Sequence, residues 1–247
     1  MIFRITRSVL FQQRLSFSKE AREAIERIHP PLQIIGKENI PAKGPCLLTV
    51  NHYFRPGFGA WWIAMGIAGS LPVDSHWMMA SAWTYPNQPL GKVKEALTHW
   101  AFVRVARVLN LTAMPPMPPR PQDTVSRANA VRQVITLVRQ HPHAIVGMAP
   151  EGSDSQDGKL MLPASGVGRF IFQLARLGFE IIPVGVYEAE GFFWLNFGCQ
   201  YRLQVPGDLI VEERDGFVRR FVMIEIAKLV PEHLRGNFGD GFSGSSA

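Results

Sequence analysis

The chain has 247 residues, 47% of them hydrophobic, and 26 basic residues against 20 acidic ones give a net charge of +6. That length buries one substantial core, and arginines scattered without an RNA-binding signature or zinc spacing exclude a nucleic-acid partner. Two cysteines in apolar runs, Cys46 and Cys199, exclude a disulfide framework and predict buried, reduced thiols in a cytoplasmic setting.

Residues 1–17 set Arg4, Arg7 and Arg14 among Ile, Phe, Val and Leu with no acid, and lack the apolar core and cleavage pattern of a secretion signal. They predict a basic amphipathic segment suited to an anionic membrane surface. Ser18 to His29 predicts a helix capped by Ser18 and stopped by Pro30-Pro31, followed by a strand over Leu32 to Ile35. After a turn-rich stretch to Pro45, the apolar run Cys46 to Val50 reads as a buried central strand. The uncharged stretch Gly57 to Leu71, with Pro56 near its first turn, predicts a buried or half-embedded helix, too short for the roughly twenty residues that cross a bilayer.

Trp77 to Ala80 is a further strand and Lys92 to Leu109 a helix. Met114 to Pro121 is a Pro-rich connector that fits neither helix nor central strand. Asp123 caps a helix whose Val125, Ala128, Val131, Ile135 and Val138 recur at helical spacing, with Arg127, Arg132 and Arg139 on the wet side. Ala144 to Met148 is the next strand, Pro163 to Leu177 a helix closed by Gly178, and Ile181 to Val186 a strand that lies at an edge or begins at Pro183. Phe192 to Phe197 and Tyr201 to Val205 are arms of a hairpin around Gly198, Phe217 to Val230 is a last helix, and residues 236–247 form a disordered tail. Alternating strands and helices predict an α/β single domain over residues 18–235, its largely parallel central sheet flanked by helices.

Two stretches carry chemistry. Asn51-His52-Tyr53-Phe54-Arg55-Pro56-Gly57 follows one strand, and Pro150-Glu151-Gly152-Ser153-Asp154-Ser155 follows another. Turns after buried strands are where open α/β sheets assemble their sites. No Gly-x-Ser-x-Gly occurs, which argues against covalent serine chemistry. His141-Pro142-His143 has no third ligand nearby, so no metal is expected. Gly166-x-Gly168 is too short for a nucleotide fingerprint and is assigned to close helix packing.

The order Gly36-x-Glu38-Asn39-Ile40-Pro41, then Asn51-His52 at a strand end, then Pro150-Glu151-Gly152-Ser153, then Ile182-Pro183-Val184 resembles the glycerolipid acyltransferases that acylate lysophosphatidic acid, over about residues 32 to 205. The resemblance implies a glycerolipid acyltransferase-like fold. It also implies transfer of a fatty acyl group from acyl-CoA or acyl-carrier protein, a co-substrate and not a bound cofactor, to a lysophospholipid-like or other hydroxyl acceptor. The protein would act as a peripheral protein on the cytoplasmic face of a membrane. Its catalytic residues would be His52, the general base, and Glu151, positioning the acceptor. Substrate would be held by Asn51, Arg55, Gly152, Ser153, Asp154 and a further arginine, which is Arg104 or Arg107, or absent if the match falls on Leu109 to Met114. Backbone donors around Gly152 and Ser153 would serve the oxyanion.

The chain departs from the family's pattern twice. The family places an aspartate five residues after its histidine to orient the ring, and this chain has Gly57. The family's Glu-Gly-Thr-Arg-Ser block has a phosphate-binding arginine, and this chain has Asp154, which reverses the Coulomb interaction with a phosphate. Asp74, Glu151, Asp154 and Asp157 are the carboxylates that can replace the missing aspartate. The alternative function is a diverged lipid- or acyl-chain-binding member without turnover. Whether a carboxylate reaches a His52 ring nitrogen separates the two.

Overall fold

The computed structural model describes residues 2–11, 13–86, 88–155 and 157–239. Among them are seven strands: β1 (Leu32–Ile35), β2 (Cys46–Val50), β3 (His76–Ala80), β4 (Thr112–Met114), β5 (Ile145–Met148), β6 (Glu180–Ala189) and β7 (Phe192–Phe197). Their order in the sheet is β1-β7-β6-β2-β5-β3-β4. The pairs β1–β7, β3–β4 and β3–β5 are parallel, and β6–β7 is antiparallel. Seven α-helices accompany them: α1 (Ile2–Phe11), α2 (Phe17–Ile25), α3 (Trp61–Ser70), α4 (Gly91–Val108), α5 (Thr124–Gln140), α6 (Val167–Arg176) and α7 (Val211–Ala227). The architecture is the expected α/β class with a largely parallel sheet. By packing, the chain divides into two compact units, one of Met1–Arg27, Pro41–Cys46 and Ala64–Met148, the other of Ile28–Ile40, Leu47–Ile63 and Ala149–Ala247.

In the first unit α2 is capped by Ser16, which accepts a hydrogen bond from Lys19 N at 3.2 Å, and not by Ser18, which is wholly buried. Ser16 has the extended backbone that a cap needs, so the helix starts at Phe17. The basic N-terminal segment forms α1, and its Arg4 is committed to Glu20, at 2.9 Å, and to Glu23 of α2. Strand β4, not expected from the sequence, pairs with β3 before the proline run begins. Arg127 is not on the wet side of α5 either. Its guanidinium donates to the Pro115 and Pro116 carbonyls at 3.2 and 2.9 Å, fastening a loop whose prolines cannot bond one another. Burial among them pushes its pKa below the usual arginine range.

In the second unit the inward positions of β7, Phe193, Leu195 and Phe197, are fully buried and alternate with half-exposed ones. The hairpin lies between β6 and β7, not around Gly198. Glu190 and Gly191 both take positive φ, 54° and 78°, the two-residue turn that matches the twist of paired strands. Tyr201 makes one bridge to Ile181, and residues 202–205 do not continue it as a strand. Pro183 is inside β6, an interior strand and not an edge. The β7 ladder begins one residue later at Val184, and Pro183 contributes only its carbonyl, which accepts from Gly198 N at 2.9 Å.

Helices α6 and α7 pack so closely at Gly168 that a Cβ there would meet the Asp215 carbonyl oxygen at 2.2 Å, in keeping with the helix packing expected of Gly166-x-Gly168. Buried Asp215 of α7 accepts from Gly166 N and Arg169 N and so caps α6, whose own N-cap residue is a glycine. Helix α7 begins at Val211, earlier than expected, because Glu213 reaches back to accept from Ile210 N at 3.1 Å. Cys199 is exposed and not buried as expected, whereas Cys46 is buried. In the expected tail Gly236–Phe238 forms a helical turn with Phe238 buried, and residues 240–247 lie outside the described residues.

Candidate functional site

Strand β2 is buried at every position, which fixes where the chain emerges after Val50. Asn51, 1% exposed, then extends the strand with its side chain. Its amide nitrogen donates to the Val186 carbonyl at 2.9 Å and its oxygen accepts from Val186 N at 2.7 Å. One amide N–H and the amide oxygen are engaged by the backbone of β6, so Asn51 anchors the start of the loop.

Next comes the central contact of the site, with His52 Nδ1 lying 2.9 Å from Oδ1 of Asp154. A carboxylate can only accept, so Nδ1 carries the proton and the lone pair resides on Nε2. Among the described residues nothing hydrogen-bonds Nε2. The imidazole is one-fifth exposed and the carboxylate about two-fifths, at 20% and 39%. A base held in one tautomer, with its other nitrogen carrying the lone pair, is the arrangement needed to accept a proton from a hydroxyl.

Glu151 locks this geometry from below. Its Oε2 accepts from His52 N at 2.6 Å and its Oε1 from Met161 N at 2.8 Å, closing the loop between them. With each oxygen accepting from a backbone donor, the carboxylate holds the His52 backbone in place. It is 4% exposed, and desolvation raises its pKa to about 7 in spite of the two backbone donors. Near neutrality it is therefore only partly ionised, which limits the negative charge beside His52.

Residues 55–58 explain the missing aspartate. Phe58 N donates to the Arg55 carbonyl at 3.0 Å, with Pro56 second in the turn and Gly57 third at φ +79°. Proline then glycine with positive φ is the signature of a type II turn, and a side chain at position 57 would be strained there. Because these residues form a turn, α3 starts only at Trp61, and Pro56 does not lie in its first helical turn. Arg55 Nε donates to both oxygens of Glu188, at 2.7 and 2.9 Å, and the guanidinium lies over the Phe58 ring. It is an internal tether of the loop and not a free anion-binding group.

The remaining expected residues are placed as follows. Gly152 N is used in a turn, donating to the Ala149 carbonyl at 3.2 Å, and Ser153 is half-buried beside it. Arg104 lies on α4 in the first unit, its guanidinium 4.1 Å from the centre of the Trp100 ring, and Arg107 is exposed on the same helix. Asp74 accepts from Ser16 Oγ at 3.0 Å and Asp157 pairs with Lys159, so of the candidate carboxylates Asp154 is the one on the imidazole. Glu188 escaped the sequence reading because nothing local ties it to an arginine 133 residues earlier. Among the described residues no three His, Cys, Asp or Glu side chains lie together as a metal site.

The chain is similar to known proteins in two respects. A family model described as Acyltransferase matches residues 31–187, more than half of the chain. A solved structure of the 1-acyl-sn-glycerophosphate (LPA) acyltransferase PlsC from Thermotoga maritima aligns over 86% of this chain and 77% of that one, with 18% identity and a TM-score of 0.48. Among curated proteins none matches. The family match covers both strand-end stretches and the His52–Asp154 contact they form, and the chain belongs to the acyltransferase family.

Proposed function

We propose that this acyltransferase moves a fatty acyl group from acyl-CoA or acyl-carrier protein to the hydroxyl of a lysophospholipid-like or other lipid acceptor. His52 is the general base and Asp154 its orienting carboxylate. The 2.9 Å contact between them carries the reading. Nε2 takes the acceptor's hydroxyl proton as that oxygen bonds to the thioester carbonyl carbon; the carbon–sulfur bond then breaks and the thiolate leaves, recovering the proton from the imidazolium. The alternative, lipid binding without turnover, rests on Gly57 and on Asp154 in the arginine position; the Asp154 carboxylate on the imidazole supports turnover instead.

The acceptor end of the site is where this chain differs. A carboxylate on the imidazole and an arginine already paired to Glu188 leave a phosphomonoester near His52 facing repulsion, so the acceptor is one without such a group beside its hydroxyl. Acting on lipids, the protein works peripherally at the cytoplasmic face of a membrane. No helix among the described residues is long and apolar enough to cross one. The test is transfer from labelled acyl-CoA and acyl-carrier protein to phosphorylated and unphosphorylated lysolipids. His52→Ala lowers turnover by about 10²- to 10⁴-fold; wild-type turnover in that variant refutes the assignment.

A further inference from the structure

Helix α4 is 18 residues long, yet its buried residues are only Ala106 and Val108, both at its C-terminal end. Most helices are held by packing one face on a core, so a helix that buries so little leaves a face to be covered. The uncovered face is apolar. Val93, Leu97 and Trp100 are 63%, 67% and 50% exposed, and Leu90, the residue before the helix, is 73% exposed. At about 100° per residue, positions 93, 97, 100 and 104 fall in one line along the helix.

Charge is arranged around that line with a definite sign. Lys92 and Lys94 project about 100° to either side of it, and Arg104 closes its end by stacking on Trp100. Among the described residues Lys94 is engaged by neutral groups, Gln88 Oε1 at 3.3 Å and the Tyr85 ring. The helix's one acid, Glu95, points to the opposite side and is neutralised by Arg120 at 2.7 Å. An apolar line with tryptophan on it, lysines on both shoulders and no acid facing outward is the pattern of a helix lying in an anionic lipid interface, where long cationic side chains reach up to the headgroups.

We infer that the Val93–Leu97–Trp100 face of α4 is a docking surface for an anionic bilayer, inserted in the plane of the headgroups. A second copy of the chain would set like charges, Lys92, Lys94 and Arg104, against one another, which the charge pattern disfavours. The inference deepens the peripheral-membrane part of the proposed function, but it stands on α4 alone and is independent of the His52 chemistry. Vesicle binding without turnover and turnover without vesicle binding are separable results.

The experiment is co-sedimentation of the full chain with phosphatidylcholine vesicles, with and without phosphatidylglycerol, at low and high salt. Wild type is expected to sediment with the anionic vesicles, less so at high salt. The double variant Leu97→Glu/Trp100→Glu is expected to lose about tenfold or more in binding. Lys92→Glu/Lys94→Glu is expected to lose the preference for phosphatidylglycerol. Trp100→Phe, which keeps the apolar face, retains binding but reduces quenching of tryptophan fluorescence by brominated lipid, so the idea does not depend on the double variant folding. Three results each overturn it: wild type that stays in the supernatant, Trp100→Phe quenched as fully as wild type, or wild type that elutes as a dimer while the double variant elutes as a monomer.

Discussion

A histidine can act as a base at a defined atom only if its other ring nitrogen is committed, and Asp154 makes that commitment for His52 at 2.9 Å. Asp154→Asn keeps the shape but lets the amide hydrogen-bond to the wrong tautomer. Turnover is expected to fall by about 10²- to 10⁴-fold with little change in KM, measured by steady-state kinetics; an Asn variant with unaltered kcat refutes the role. Glu151 contributes differently, through the backbone. Its pKa is raised from 4.5 in the unfolded chain to about 7 in the folded one, so the folded state holds the proton more tightly between those values. A raised acid opposes folding when ionised: this contribution to stability is most favourable below pH 4.5 and declines by about 3 kcal/mol as pH rises to 7. Glu151→Gln is expected to flatten that part of the stability curve, whatever it does to absolute stability, as followed by chemical denaturation at a series of pH values.

Between the residue and the fold lies the loop from Asn51 to Phe58, which is tied at each end to the antiparallel pair β6–β7. Asn51 bonds Val186, Arg55 pairs with Glu188, and the Phe58 ring packs 5.3 Å from that of Phe193. The turn inside it selects glycine at position 57 by its positive φ, and apart from its chain neighbours no atom among the described residues lies within 4 Å of the place a Cβ would occupy. Space is therefore not the obstacle to an aspartate; backbone conformation is. Gly57→Asp is expected to destabilise the protein by about 1 to 2 kcal/mol and not to restore turnover to Asp154→Asn. Recovery of activity in that double variant would show that the turn can open to admit a carboxylate from position 57.

For the molecule as a whole, charge is unevenly used. The chain carries a net +6, yet at the site the Asp154 carboxylate lies on His52 and Arg55 is paired to Glu188, while Lys92, Lys94 and Arg104 stand on α4. Low-charge acceptors suit such a site, and an anionic surface suits such a helix. With one acyl donor and matched acyl chains, monoacylglycerol or a lysolipid with a diester headgroup is expected to show a higher kcat/KM than lysophosphatidic acid. The reverse order would place an anion-binding group at the site and refute this reading of the acceptor.

Much of this was legible in the chain itself. Apolar runs, proline and glycine stops and three- to four-residue spacing are local signals, and they located most of the strands and helices and the two strand-end stretches that hold His52 and Glu151. Local signals could not register distant partners: Arg127 looked solvated, the strand of Pro183 looked like an edge or one beginning at the proline, and nothing near Asn51 or Arg55 pointed to Val186 or Glu188. In sequence Asp154 is one of four carboxylates that could answer for Gly57, with nothing to choose among them. Gly57 and Asp154 are 97 positions apart by number, and only the tertiary structure, by fixing which turns lie side by side, brings the Asp154 carboxylate onto the imidazole that lacks one. A hydrogen bond depends on distance in space to a few tenths of an ångström, and spacing along the chain holds no record of it.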